Sequence, residues 1–310
     1  MTDFGADVAF GKVPQKLREH YGIEVPISAA QIITKQHGAR IKQERVRLER
    51  LPRGGVPQLI GELDGSMLPM VSIAARTDKA PQDGRKRRQL SWREARLSVV
   101  RAPDQIKGRY AATMGDPAQA GELFVDSLIR AGGGQRTQLH CVGDGAPWIA
   151  NQIKQRLGAQ AHYLIDFYHL SEYLSGAAEV VAGAHKREWL SAQQQRMKAN
   201  GVGTVLEALR AHQAEASAPT AEPDLDPVQA CRQYMENRLS YFDYAGALKA
   251  GLPIGSGEVE SGHRSVIQAR LKLAGAWWQE KTAESMLALR TLRANDEWET
   301  YWSEARQAAA

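Results

Sequence analysis

Between residues 56 and 170 the chain moves through apolar runs of two different periods. PQLIGELDGSMLPMVSIAA reads as a long β-rich run, and ARLSVVRA and RYAATMG as two further strands. AQAGELFVDSLIRAGGG reads as an amphipathic helix closed by glycines. TQLHCVGD follows as a strand, APWIANQIKQRLG as a helix with proline near its first turn, and AHYLIDFYH as another strand. Three strands, then helix, strand, helix and strand, make a mixed α/β order.

On either side the pattern is helical. In residues 1–50, VPQKLREHYGI ends at Gly22, a C-cap, and Ser28 is placed to N-cap a second helix, SAAQIITKQHGARI. Two short helices joined by a tight turn suit a helix-turn-helix, with Lys35, Gln36, His37 and Arg40 outward toward phosphates and base edges. An ordinary helical hairpin packed on the next domain fits the same pattern. Residues 171–250 form an all-helical block broken by the hinge SAPTAEPDLDP. Residues 251–295 hold the helix that starts at GSGEVES and complete the core, and 296–310 form a C-terminal tail.

Composition narrows this little. The 310 residues can bury a sizeable core, and a net charge of +5 with a pI near 9.2 permits a nucleic-acid partner without demanding one. Cys141 and Cys231 are too few for a four-cysteine zinc ribbon and read as reduced, buried thiols of a cytosolic protein. No apolar run is long enough for a membrane span, and MTDFGADVAF lacks the pattern of a signal peptide.

Three acids stand in distinctive settings: Asp64 in LIGELDGSMLPMV, Asp144 in QLHCVGDGAPWI and Glu260 in PIGSGEVESGHR. Two end apolar, strand-like runs, and the third lies just inside a helix start. Carboxylates brought together from distant segments are what phosphodiester chemistry with divalent ions requires. Each setting also has a plainer reading. Asp144 suits a strand-end turn or an N-cap, and Glu62, two residues before Asp64 on the same strand face, suits a supporting ligand or, more plainly, a solvated strand acid. With Ser256 as N-cap, Glu258 falls where the helix dipole favours an acid, whereas Glu260 faces elsewhere with Arg264 one turn on. Arg270 and Lys272 extend a basic helix toward Trp277 and Trp278. The run Arg85-Lys86-Arg87-Arg88 reads as a solvated loop or a grip on DNA phosphates. Asp166 and His169 lie together if a helix begins there. A zinc site of His140, His162 and His169 lacks close ligand spacing.

Together, LDGSM, VGDGAPWI, LIDFYHLSEYL and GSGEVES, with the basic helix ending LAGAWW, resemble the DDE transposases of bacterial insertion sequences. The ISKra type is nearest and the Mutator superfamily more distant. The pieces run in the expected order over roughly residues 60–278, and the pair DGAPWI and DFYH is specific. The resemblance implies a ribonuclease H-like mixed-sheet core with Asp64, Asp144 and Glu260 as a metal-binding catalytic triad for two Mg²⁺ or Mn²⁺ ions. It implies an all-helical insertion before Glu260, and Asp166 and His169, matching a C/DxxH signature, near the active site. Its reaction is hydrolysis at transposon ends, then attack of the freed 3′-hydroxyl on target DNA. A homodimer follows from the need to join two DNA ends, and bacterial cytoplasm at the nucleoid is the implied location. Relatives of this type carry a cysteine-rich zinc module that two cysteines cannot supply. A catalytically silent DNA-binding descendant and a plain nuclease are the alternatives.

Overall fold

In the computed structural model, residues 1–74, 83, 87–215 and 226–308 are described, without the side chains of 213–215. The chain opens with helices α1 (Thr2–Asp7), α2 (Val13–Tyr21) and α3 (Ile27–Glu44). Three strands follow: β1 (Gln58–Ile73), β2 (Arg88–Arg101) and β3 (Arg109–Thr113). Then come α4 (Pro117–Arg130), β4 (Gln138–Gly143), α5 (Pro147–Leu157) and β5 (Ala161–Ile165). A helical block comprises α6 (Phe167–Ala182), α7 (Lys186–Lys198), α8 (Val202–Glu215), α9 (Pro227–Glu236) and α10 (Tyr244–Lys249). The chain closes with α11 (Gly257–Gly262), a π-helical stretch His263–Gln268, α12 (Ala269–Leu271), α13 (Glu280–Ala294) and α14 (Trp298–Gln307). The order of strands and helices read from hydrophobic period is the observed one.

The five strands form one mixed sheet in the order β3-β2-β1-β4-β5. The β2–β3 pair is antiparallel, with Ser98 opposite Ala111, and the β4–β5 pair is parallel, with Cys141 opposite Tyr163. A parallel pair needs a crossover, and α5 supplies it.

Contacts divide the chain into two compact units: Met1–Leu59 with Leu63–Thr137 and Gly257–Ala310, and Ile60–Glu62 with Gln138–Ser256. In the first, Leu68 and Met70 of β1 and Leu97 and Val99 of β2 share a core with Val259, Val266, Ile267, Met286 and Leu287. Each such side chain contributes about 1.5–3 kcal/mol by leaving water. Helix α4 shows why these residues become a helix. Asp116 accepts from Gln119 N (2.8 Å) as N-cap, Pro117 occupies the first turn, and Ala120, Phe124 and Leu128 recur every four residues on its buried face. That face packs on β2 and β3. In the second unit α6 packs against α7 and α9, with Leu170 and Leu174 buried. Cys141 and Cys231 are free and buried there, as expected.

Four local expectations are corrected. Ser28 is not an N-cap: Pro26 takes that position in an extended conformation, and α3 starts at Ile27. Strand β2 begins at Arg88 rather than Ala95, because Ala74 N donates to Arg87 O (3.0 Å) and pairing runs from the end of β1. Strand β5 stops at Ile165, because Asp166 caps a helix that absorbs Phe167, Tyr168 and His169. Glu62 is no solvated acid but only 1% exposed, as befits the centre of a sheet whose middle strand is buried from Leu59 to Leu63. Among the described residues, no helix is long and apolar enough to cross a membrane. The hinge at 217–227 lies almost wholly outside the described residues.

Candidate functional site

Asp64 and Glu260 belong to the first unit. Asp64 lies within β1, its side chain 31% exposed. One carboxylate oxygen accepts from Gly65 N (2.7 Å), and the other lies 3.0 Å from His263 Nε2. The two groups are in contact without a hydrogen bond between them, and neither ring nitrogen of His263 has a hydrogen-bond partner among the described residues. A nearly buried imidazole therefore sets one face of the carboxylate. His263 opens the π-helical stretch that continues α11, and such stretches concentrate at functional positions. Gly262 brings α11 down on the sheet: a methyl group there would lie 2.7 Å from the Tyr110 ring and 3.0 Å from Leu97.

Glu258 and Glu260 are told apart by their partners. Glu258 turns toward Arg101 of β2 (3.9 Å), while Glu260 is exposed and accepts from Arg264 Nη2 (2.6 Å), the pairing expected from one turn of spacing.

Asp144, Asp166 and His169 belong to the second unit. Asp144 is half-buried one residue beyond β4, and its Oδ1 accepts from Ala146 N (2.8 Å). The backbone around it is fastened. Tyr234 donates its hydroxyl to the Asp144 carbonyl (2.7 Å), Arg238 Nε donates to the Gly145 carbonyl (2.8 Å), and Gly145 N donates to the Tyr163 hydroxyl (3.1 Å). Burial pushes the Tyr234 and Tyr163 hydroxyls up, so both stay protonated at neutral pH. Gly145 has φ +84, and a methyl group there would lie 2.7 Å from Arg238 Nε and 2.9 Å from the Tyr234 hydroxyl. Both conditions demand glycine.

Asp166 is 8% exposed and heavily engaged. Its Oδ1 accepts from Tyr168 N (2.6 Å) and His169 N (3.1 Å), and its Oδ2 accepts from Ser256 N (2.7 Å) and from the Ser256 hydroxyl. Asp166 thus works as a cap and a tie, and the Ser256 hydroxyl expected to cap the Glu260 helix is given to Asp166. His169 packs its ring against Tyr173 and Tyr234, with Nδ1 3.6 Å from Glu172. His140 and His162 stack at 6.0 Å, and the His140 Nε2 is engaged by the Pro253 carbonyl (2.8 Å).

The basic residues separate. Arg40 is held by Glu44 (2.8 Å), and Arg87 gives Nη1 to the Ala74 carbonyl (2.9 Å). Arg88 and Lys272 are exposed, and Lys35 is half-buried. Arg85 and Lys86 lie outside the described residues. Two expectations fail in detail. His37 does not face outward: its Nδ1 meets the Tyr301 hydroxyl (2.6 Å) and its ring packs on Trp302. Arg270 is not on an outward basic face. It is 2% exposed, donates Nε to the Gly5 carbonyl (3.0 Å), and lies 4.6 Å from the Phe10 ring and 4.9 Å from that of Trp278. Trp278 is core, whereas Trp277 is exposed.

Three carboxylates are hard oxygen donors of the kind Mg²⁺ or Mn²⁺ accepts, so the donor chemistry of Asp64, Asp144 and Glu260 fits the expected ions. Among the described residues no three His, Cys, Asp or Glu side chains are gathered as a metal-holding group. Sequence reading missed His263, Tyr234 and Arg238. Only His263 carried a signal, since it sits three residues after Glu260 on the same helical run.

The chain matches no protein-family model, and no curated protein matches it.

Proposed function

We propose that the chain is a DNA transposase with a ribonuclease H-like core, a nuclease and strand transferase of the insertion-sequence type acting on DNA ends and a DNA target. The observation that carries this reading is the seating of three acids. Asp64 sits within β1, Asp144 one residue past β4, and Glu260 in the first turn of α11, with a helical block between the second and third. The strand order β3-β2-β1-β4-β5, antiparallel on one side and parallel on the other, supports such a core.

In the first step a water oxygen attacks phosphorus, the bond to the 3′-oxygen breaks, and a 3′-hydroxyl is released. In the second, that hydroxyl attacks a target phosphorus and displaces the target's own 3′-oxygen. Mg²⁺ or Mn²⁺ held by Asp64, Asp144 and Glu260 would supply the electrophilic charge that both displacements need. The protein's part is placement. His263 lies against one oxygen of the Asp64 carboxylate, and the clamp of Tyr234 and Arg238 holds the loop that presents Asp144. Glu260 is held by Arg264, a cation also suited to a phosphate once the pair opens.

Asp144→Asn tests this reading. An amide oxygen still accepts from Ala146 N, so the fold and DNA binding are expected to survive. Cleavage of plasmid carrying the flanking DNA, in Mg²⁺, is expected to fall at least about a hundredfold, since the ionised group is lost. Unchanged cleavage by the variant would remove Asp144 from the reaction. Binding by the wild type without cleavage in Mg²⁺ or Mn²⁺ would favour the silent DNA-binding alternative.

A further inference from the structure

A cavity of about 780 Å³ lies wholly within the first unit. Its volume is in the range of about 300–1,000 Å³ typical of pockets that take small ligands. Among the described residues its lining contains Lys35, Arg88 and Arg270, with Trp277 and Trp278 and no acidic residue. Lys35 and Arg88 form no ion pair among the described residues. Arg270 is the unusual member. It is a buried cation whose Nη2 has no hydrogen-bond partner among the described residues. Burial and the neighbouring Arg290 bring its guanidinium down to about 10, so it remains charged at neutral pH. Asp7, the acid nearest in charge, is already bound to Arg290 and Arg293. The Nη2 atom is itself buried, so Arg270 adds positive charge behind the cavity wall, and the cations a ligand can touch are Lys35 and Arg88.

The aromatic side identifies the kind of ligand. Trp277 is 39% exposed, and Trp92 of β2, 58% exposed, meets it edge to face at 6.1 Å. Large aromatic faces beside cations that form no ion pair among the described residues match a strand of nucleic acid whose bases are free to stack. A duplex hides those faces.

We propose that this cavity binds a single-stranded segment of DNA, its backbone phosphates on Lys35 and Arg88 and an unpaired base against Trp277 and Trp92. The proposal rests on the transposase reading only for the kind of polymer, and binding there requires no metal and no cleavage.

The test is fluorescence anisotropy of a labelled single-stranded oligothymidylate against the full chain in EDTA, with a duplex of equal length and a glutamate-rich acidic peptide as competitors. The substitutions Trp277→Ala, Trp92→Ala and the pair Lys35→Ala with Arg88→Ala all fall on exposed or half-buried side chains that the fold can spare. Trp277→Ala is expected to weaken single-strand binding about tenfold. The Lys35 and Arg88 pair is expected to lower the salt slope by about 1.4, two phosphates' worth. Wild-type affinity in both, no binding of the single strand, or displacement by the duplex or by the acidic peptide as effective as that by unlabelled single strand would each overturn the site. The two ideas fail separately. A wild-type chain that cleaves DNA but binds no oligothymidylate defeats this inference alone. One that binds it but cleaves nothing in Mg²⁺ or Mn²⁺ defeats the catalytic reading alone. Asp144→Asn should bind the oligonucleotide as the wild type does.

Discussion

At Gly145 one methyl group would disturb both the backbone and its clamp. The residue holds φ +84, and a side chain would press on Arg238 and Tyr234. Gly145→Ala is expected to lower stability by about 1–3 kcal/mol, read from the urea midpoint, because it adds strain where the loop is tied down. An unchanged midpoint would mean that the Tyr234 and Arg238 contacts do not hold the loop. The cysteines make an opposite kind of prediction. Burial pushes the Cys231 thiol up to about 12 and Cys141 further, so neither is a thiolate at pH 8. Alkylating reagents should modify them only after denaturation, and labelling of the native chain within minutes would contradict their burial. At this scale the sequence makes acids in unusual company legible: Asp64 in an apolar run, Asp144 between two glycines, Glu260 beyond a GSG turn. Their partners are not legible. Tyr234 and Arg238 lie in the helical block far along the chain from Asp144, and nothing in their surroundings signals a hydrogen bond to a distant loop.

Among the elements, the junction of β5 and α6 depends most on one side chain. Asp166 closes the first turn of α6 with two backbone bonds and holds Ser256 with two more. Asp166→Ala should cost about 1–2 kcal/mol for the cap, with a further loss from the Ser256 tie, whereas Asp166→Asn should keep most of the cap. Equal thermal midpoints for Ala and wild type would refute the capping role. The strands and helices themselves follow from apolar runs and spacing: continuous buried runs in β1 and at the end of β2, four-residue spacing in α4, glycine after α2. Boundaries are harder to read. AHYLIDFYH has apolar residues on both sides of its aspartate, and only that aspartate marks the change from strand to helix. Arg270 is hard to place for a related reason, since helical spacing gives a face but not which face the core takes.

For the whole molecule, the pH dependence of stability follows from two histidines. Burial lowers His140, with the His162 charge adding to it, and burial with the Arg40 charge lowers His37. Both ordinary values are 6.5. Below that pH the unfolded chain takes up protons that the folded chain refuses, so their contribution is present above about 6.5 and is lost as pH falls through the lower folded values. The thermal midpoint should therefore drop between pH 7 and 5, and His140→Asn should flatten that drop. A midpoint that rises over this window would reverse the sign and contradict the burial of both rings. The strand order and the seating of three acids also belong to this scale, and the proposed joining of DNA rests on them. The joining itself is best tested directly. A duplex of the flanking DNA, ending in a free 3′-hydroxyl, is incubated with the chain, a supercoiled target plasmid and Mg²⁺, and the products are sequenced across the junction. The expected result is covalent joining of that 3′-oxygen to the target by the wild type and none by Asp144→Asn. Bound DNA with no joined product, in Mg²⁺ or Mn²⁺, would contradict strand transfer as this protein's function.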